Sequence, residues 1–180
     1  MLRQSIRLLR TTNGVAAVEF AMIAPVLAVL LMGTIELCSA LECRQKVTSE
    51  TSSVADLVSQ ASTVSNADLT NIFNAGNSIL YPFAPGNVSV VVSSIVNQPN
   101  GQNVVDWSQQ YNGATALQQG TQVTVPTGVI SPGGSAILVN VSYNYTSPIG
   151  QFIFGTIAMS DSFYAHPRQS VKVSCTDCTG

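Results

Sequence analysis

The chain has 180 residues, of which 9% are charged and 46% are hydrophobic, with seven lysines and arginines against nine aspartates and glutamates. So few cations argue against a nucleic-acid partner, which requires clustered Lys and Arg. The length suits one domain in addition to a membrane-spanning segment.

A basic leader opens the chain, because residues 1–14 carry Arg3, Arg7 and Arg10 and no acid. The positive-inside rule therefore predicts a cytoplasmic N-terminus, with the bulk of the chain on the other side of the membrane. Removal of this leader would leave four cations against nine acids. Such an acidic chain suits neither DNA nor an anionic membrane surface.

An apolar stretch follows the leader, and from Val15 to Ile35 a single charge, Glu19, interrupts it. At about 1.5 Å per residue, a helix of this length crosses the hydrocarbon core of a bilayer. A carboxylate inside that core costs roughly 2.5 to 3.5 kcal/mol on insertion scales, so such a residue usually has a function. The stretch predicts a single-pass helix, and Glu19 is its candidate functional residue.

The junction of leader and helix, GVAAVEF at residues 14–20, resembles a class III signal sequence of the Flp (tight adherence) pilus system. In that family a prepilin peptidase cleaves after the glycine, and the mature chain begins with four small apolar residues, a glutamate and an aromatic residue. In size and layout the chain is similar to the TadE-like minor pseudopilins.

The resemblance implies cleavage between Gly14 and Val15. It also implies that Glu19, followed by Phe20, meets the new N-terminal amine of a neighbouring subunit, since mutual neutralisation offsets the burial of both charges. The implied partners are the prepilin peptidase, other pilin or pseudopilin subunits, the inner-membrane assembly platform and membrane lipid. The implied location is the bacterial inner membrane, with a periplasmic head that can enter the pilus at the cell surface.

Two other interpretations of the apolar stretch stay open. An ordinary secretory signal peptide would use Cys38-Ser39-Ala40 as a small-x-small cleavage site. That run is longer than a usual signal-peptide core, and the site follows Glu36. An uncleaved anchor is the second alternative, because Glu19 near the cytoplasmic interface can snorkel towards water.

Beyond the apolar stretch the pattern predicts a continued helix, from Val15 to about Ser62, with Pro25 loosening one turn. An apolar face is predicted at Ala40, Cys43, Val47, Val54, Leu57, Val58 and Ala61. The polar remainder is predicted at Arg44, Lys46, Glu50, Ser53 and Asp56. We expect residues 15–63 to form a transmembrane and amphipathic helix.

Residues 64–180 are expected to form a head of mixed structure. A second helix is predicted over Asn66–Ser78, capped by Ser65 or Asn66 and stopped by the segment Tyr81–Gly86. The strands predicted after it are Val88–Val96, Val104–Tyr111, Ala136–Tyr145, Thr156–Ala165 and Gln169–Ser174, with a weaker candidate at Gln119–Val125, a turn at Ser131–Gly134 and an apolar segment at Phe152–Phe154. The predicted fold class is α+β, a long helix packed on a mainly antiparallel sheet.

The cysteine pair Cys175 and Cys178 is compatible with a redox motif, half of a zinc site or a local disulfide. A redox pair should open a helix, and no helix is predicted after this pair. A zinc site would need two more ligands, whereas the sequence has a single histidine, His166. A structural disulfide is therefore the prediction for an oxidising compartment. Cys38 and Cys43 are expected to be buried small hydrophobes or packing contacts near the outer membrane interface, with a link from Cys43 to a C-terminal cysteine as a further possibility.

No arrangement of residues indicates catalysis, a metal or a cofactor. His166 and Arg168 are expected to face solvent at a strand end, and the spacing of Asp106, Asp161 and Asp177 implies no shared site. We therefore expect a non-enzymatic minor pseudopilin that takes part in Tad/Flp pilus assembly, adhesion and surface attachment. The alternative is an uncleaved membrane-anchored periplasmic scaffold or binding protein, and a periplasmic enzyme is the third class.

Overall fold

The computed structural model describes residues 13–147 and 155–178. The leader arginines and the predicted apolar segment Phe152–Phe154 lie outside these residues. The chain divides into two compact units, Met1–Ala40 and Leu41–Gly180. The predicted domain boundary at residues 63 and 64 stays a prediction.

The long N-terminal helix, α1, runs from Asn13 to Ser59, with Pro25 inside it. The prediction of one helix through both the apolar and the amphipathic sequence is confirmed. In its first part nearly every side chain from residue 14 to residue 42 is exposed or half-exposed. In its second part a buried stripe runs along the helix at Cys43, Val47, Glu50, Val54 and Val58.

Two predictions for the amphipathic part of α1 are wrong. Glu50, expected on the polar side, is fully buried, whereas Leu57, expected on the apolar side, is 40% exposed. The reason is geometric, since Glu50 lies three residues after Val47 and four before Val54. These spacings keep all three residues on one face of the helix.

A short strand β1 (Thr63–Val64) leads into the second helix, α2, which spans Asn66–Ile79. Ser65 caps α2, because its side chain accepts from the Asp68 N–H while the Asp68 carboxylate accepts from the Ser65 N–H. This reciprocal pair satisfies two backbone donors that a helix start leaves free. The predicted helix and its cap are confirmed.

Four antiparallel strands form the main sheet in the order β3-β2-β4-β5. They are β2 (Val88–Asn97), β3 (Asn103–Tyr111), β4 (Ser135–Thr146) and β5 (Thr156–Ala165). β2 and β3 form a hairpin with a bulge between Ser94 and Ile95. All four strands were predicted, because each has the β-branched or alternating sequence that fits a half-buried pleated surface.

Both helices pack on one face of this sheet. The Phe73 ring of α2 lies 5.3 Å from the Tyr111 ring of β3, measured between centroids. On β4, burial and, to a lesser degree, the neighbouring Cys43 thiol of α1 raise the pKa of the Tyr143 hydroxyl. The two helices meet at Gly76, since a Cβ there would lie 2.9 Å from Val54 Cγ2. The head is therefore α+β, as predicted.

Two predicted strands are wrong. Gln119–Val125 makes one isolated bridge, from Val104 to Gln122, and forms no strand. Its left-handed Gly120, with φ of 80°, interrupts the extended backbone. This segment still lies along the β3 edge, because the Gly120 N–H donates to the Val105 oxygen and the Val123 N–H donates to the Asn103 oxygen.

Gln169–Ser174 does not close the main sheet either. Only Ser174–Cys175 is extended, as β6, and it pairs in parallel with β1. Two backbone carbonyls of this segment accept hydrogen bonds from side chains. Ser135 Oγ donates to the Val171 oxygen, and Trp107 Nε1 donates to the Val173 oxygen. Those carbonyls are then engaged by side chains and do not take part in a ladder with β5.

A substitution at the helix crossing tests this packing. Gly76→Leu should lower the free energy of unfolding by roughly 2 kcal/mol, because overpacking a closed site outweighs the helix propensity that leucine adds. Val54, which the new side chain would meet, is fully buried and stiff at χ1. The measurement is denaturant unfolding of the full chain in detergent.

Gly86→Leu is the matched control, because nothing lies within 4 Å of a Cβ at Gly86. Equal stability of the two variants would contradict the close approach of α1 and α2.

Candidate functional site

The first candidate site is the exposed apolar part of α1. Among the residues that the structure describes, α1 is the one helix long and apolar enough to cross a membrane. Its large side chains are open to solvent, with Phe20 68% and Met22 73% exposed. Length, composition and exposure are together compatible with a single-pass membrane anchor.

The predicted processing and pairing residues all lie at the start of this helix. Gly14, Val15, Glu19 and Phe20 are exposed on α1. Glu19 is four residues after Val15, so the two residues share one face of the helix, one turn apart. A Cβ at Gly14 would meet no other residue within 4 Å. Gly14 is thus accessible at the first turn of the described helix.

The second candidate site is the cysteine pair close to the C-terminus. A disulfide joins Cys175 to Cys178, with their Cα atoms 5.7 Å apart. Within the same turn, Asp177 Oδ1 accepts from the Asn66 N–H at 2.7 Å. A carboxylate at a helix N-terminus complements the macrodipole of α2. The turn therefore attaches the C-terminal segment to the start of α2.

A metal does not fit this turn. Cys175, Asp177 and Cys178 bring potential ligand atoms within 4.8 Å of one another, the single such group in the described part of the chain. Both sulfur atoms are used by the disulfide, and metals bind cysteine as the thiolate. Asp177 is already engaged by the backbone of α2.

The other two cysteines are free and differ in exposure. Cys43 is buried, as expected, whereas Cys38 is exposed, and its packing contact near the membrane interface stays a prediction. Burial and, secondarily, Glu42 raise the pKa of the Cys43 thiol to about 11. Cys43 is thus an inert member of the core stripe. The alternative link from Cys43 to a C-terminal cysteine is not formed.

His166 and Arg168 are exposed just after the end of β5, as expected, and each also has a polar partner. His166 Nε2 lies 2.5 Å from the Val129 carbonyl oxygen, and Arg168 forms an ion pair with Asp56 of α1. The Arg168 N–H also donates to the Ser59 carbonyl at 2.9 Å. That bond satisfies a carbonyl that the end of α1 would otherwise leave without a partner.

These residues border an open groove between the last turns of α1 and the end of β5, where Leu57 and Phe163 are partly exposed. Ser52, Ser53, Asp56 and His166 all line this groove. However, His166 Nε2 contacts the Val129 carbonyl and Asp56 pairs with Arg168, so among the described residues no hydrogen bond links a serine hydroxyl, His166 and a carboxylate there. Asp106 pairs with Lys172, and Asp177 binds the start of α2.

Sequence reasoning missed Glu50. Its side chain is fully buried, and neither carboxylate oxygen has a hydrogen-bond partner among residues 13–147 and 155–178. Burial raises its pKa to about 7. Glu50 lies outside the apolar span, 15 positions beyond Ile35, in the part of α1 that packs in the head. The signal in the sequence was its place between Val47 and Val54 in the apolar stripe.

The structure combines an exposed apolar helix that carries one early glutamate with a small antiparallel α+β head, and the helix is compatible with a single-pass membrane anchor. Residues 14–56 match the family model described as TadE-like protein. This match confirms the resemblance seen in the sequence and is consistent with a TadE-like protein of Tad/Flp pilus systems. The matched residues all lie within α1. No curated protein and no solved structure matches the chain.

A double substitution tests the structural role of the cysteine pair. Cys175→Ser with Cys178→Ser should lower the free energy of unfolding by about 2 kcal/mol, since so short a loop restricts the unfolded chain only slightly. The measurement is chemical unfolding under oxidising conditions, with Cys38→Ser as the exposed control. If the double variant fails to fold, or if its free energy of unfolding equals that of wild type, the disulfide does not have the modest local role expected here.

Proposed function

We propose that this chain is a minor pseudopilin that a prepilin peptidase cleaves after Gly14 and that takes part in assembly of Tad/Flp pili, and so in adhesion and surface attachment. The main supporting observation is that the match to the TadE-like family begins at Gly14, the residue after which cleavage is proposed. The basic leader and the exposed apolar helix support the same proposal.

The exposed apolar surface of α1 needs a cover, and the proposal supplies two. In the membrane, lipid tails cover it. During assembly, equivalent helices of other pilin or pseudopilin subunits replace the lipid, while the inner-membrane assembly platform holds the subunit. Cleavage places a positively charged amine on Val15, one turn from Glu19 on the same helical face.

Glu19 has a physical role in this proposal. A lone carboxylate among apolar helices is costly, and a lone amine is costly for the same reason. Pairing Glu19 with the amine of a neighbouring subunit neutralises both charges. Phe20 adds apolar contact next to the pair. The function therefore needs no cofactor and no catalytic group on this chain.

Substitution of the glycine tests processing. Gly14→Leu should abolish the peptide that begins Val15-Ala16-Ala17, leaving a slower-migrating form with its leader attached. The readout is the mature N-terminus of the membrane fraction, by mass spectrometry, in cells with and without the prepilin peptidase. Gly33→Leu is the matched control, because it also lies on α1 with nothing within 4 Å of its Cβ.

An intact N-terminus in wild-type cells that contain the peptidase would instead support the uncleaved membrane-anchored scaffold. A start near Leu41 would support an ordinary secretory signal, and either result rejects the pseudopilin proposal.

Substitution of the glutamate tests pairing. Glu19→Leu should keep or improve membrane insertion while lowering the number of assembled pili by at least about tenfold, because the partner amine loses its counter-charge. Glu19→Gln should act in the same direction with nearly unchanged side-chain size. Pili are counted by shearing and immunoblotting.

Glu42→Gln is the control for these variants, since Glu42 is an exposed glutamate of α1 beyond the apolar stretch. Normal pili with Glu19→Leu would reject the pairing role and leave cleavage as a separate question.

A further inference from the structure

Glu50 is a charged residue type in the middle of the head's core. It is fully buried on α1, between Val47 and Val54 in the apolar stripe. A Cβ built on Gly76 of α2 would lie 3.4 Å from Glu50 Oε1 and 3.3 Å from Glu50 Cγ. The carboxyl therefore sits where α2 crosses α1, in the contact between the two helices.

No group of the described chain stabilises a negative charge at this place. Neither Glu50 oxygen accepts a hydrogen bond. Lys46, one turn earlier on α1, forms no ion pair with Glu50, because the two ion pairs of the described chain are Arg168 with Asp56 and Lys172 with Asp106. A buried carboxylate without a counter-charge or a donor is strongly disfavoured in water-free surroundings.

The elements packed around Glu50 supply few titratable groups. On α2 the one such group is Asp68, which caps the start of that helix. On β3 they are Asp106, paired with Lys172, and Tyr111, whose hydroxyl accepts from Asn77 Nδ2. β2 has none, β4 has Tyr143 and Tyr145, and α1 itself adds Cys43, two turns away, and Lys46, one turn away. Of these groups only Lys46 is positively charged, and it forms no ion pair with Glu50.

On the surrounding elements, the buried polar atoms without partners include two amide oxygens and the Ser94 hydroxyl of β2. Asn77, next to Gly76, has a buried side-chain oxygen without a partner, and so has Gln109 of β3. Gln109 and Tyr111 are two positions apart on one face of β3, and Tyr111 contacts both Phe73 and Asn77 of α2. An amide oxygen can accept a hydrogen bond from a neutral carboxyl but can donate none to a carboxylate, whereas a hydroxyl can donate to either form.

We propose that Glu50 is a proton-binding site at the crossing of α1 and α2, and that its proton keeps α2 packed on α1. The protonated carboxyl is a neutral, polar member of the core. When it loses the proton, a charge forms against the backbone of α2, and the helix crossing loosens. The head would thereby be more stable in acid than in alkali.

The direction of the pH effect follows from proton linkage. Burial raises the pKa of Glu50 from 4.5 to about 7 in the folded head. Between those values the folded state binds more protons than the unfolded state, so stability falls as pH rises. The contribution is fully present below the unfolded value, declines through about pH 7 and is lost above it.

The experiment compares thermal unfolding of the full chain in detergent from pH 5 to pH 9 for wild type, Glu50→Gln and Glu42→Gln. Relative to Glu50→Gln, the wild-type Tm should fall by about 5 to 10 °C across this range. The Glu42→Gln variant should follow wild type, because Glu42 is exposed on the same helix. Parallel curves for wild type and Glu50→Gln would overturn the proposal.

If Glu50→Gln fails to fold, a second measurement on wild type still tests the proposal. In a carbon-13 titration of the side-chain carboxyls, one glutamate should titrate near pH 7. Hydrogen exchange of α2, corrected for its intrinsic pH dependence, should accelerate above that point. Titration of every glutamate at its ordinary pH, or equal protection of α2 at pH 6 and pH 8, would reject the proton-binding site.

Discussion

The structure depends on how one helix finds two different apolar surroundings. From Val15 to Leu41, α1 exposes fourteen large hydrophobic side chains. Full burial of each such side chain stabilises by about 1.5 to 3 kcal/mol. The sum exceeds the net stability of a typical domain, about 5 to 15 kcal/mol. Water is therefore a poor solvent for this part of α1, which is compatible with a membrane anchor.

The second part of α1 meets the same requirement within the chain itself. Its stripe from Cys43 to Val58 is buried in the head, with α2 and the sheet as its cover. The head also holds the end of the helix, because the C-terminal segment contacts α1 through Arg168. A head cut free of α1 would lose one layer of its core. The exposed apolar part and the buried part of α1 thus belong to one continuous helix.

Local signals in the sequence predicted most of the fold. The capping box at Ser65 and Asp68 fixes the start of α2 by contacts within four residues. The alternation of apolar and polar residues along β4 predicts which face of the strand is buried. The wrong predictions concern segments whose structure depends on tertiary contacts. The segment after residue 168 gives carbonyls to Trp107 and Ser135, which are distant in sequence. No local pattern encodes those partners, so the pairing of β6 with β1 was missed.

The candidate site divides in the same way. Gly14, Val15, Glu19 and Phe20 were found because leader charge, glycine, glutamate and apolar run all lie within one short stretch. Glu50 was assigned to the polar side of α1 because glutamate is a charged residue, although its position in the sequence falls on the apolar stripe. Spacing alone places it inside, and only the approach of Gly76 shows how closely. A charged residue in an apolar stripe is better judged by its phase than by its charge.

Glu19 and Glu50 set the same physical problem in different surroundings, since each is a carboxyl on an apolar face of one helix. Under our proposals the solutions differ in kind. Glu50 lies inside a single folded head and can be neutralised by a proton, which needs no second chain. Glu19 lies on a surface that other helices cover, and an amine created by cleavage can neutralise it. A chain that keeps its leader lacks that amine, so pairing at Glu19 would be conditional on processing. Cleavage would then control assembly through the electrostatics of the helix surface, without a conformational change in the head.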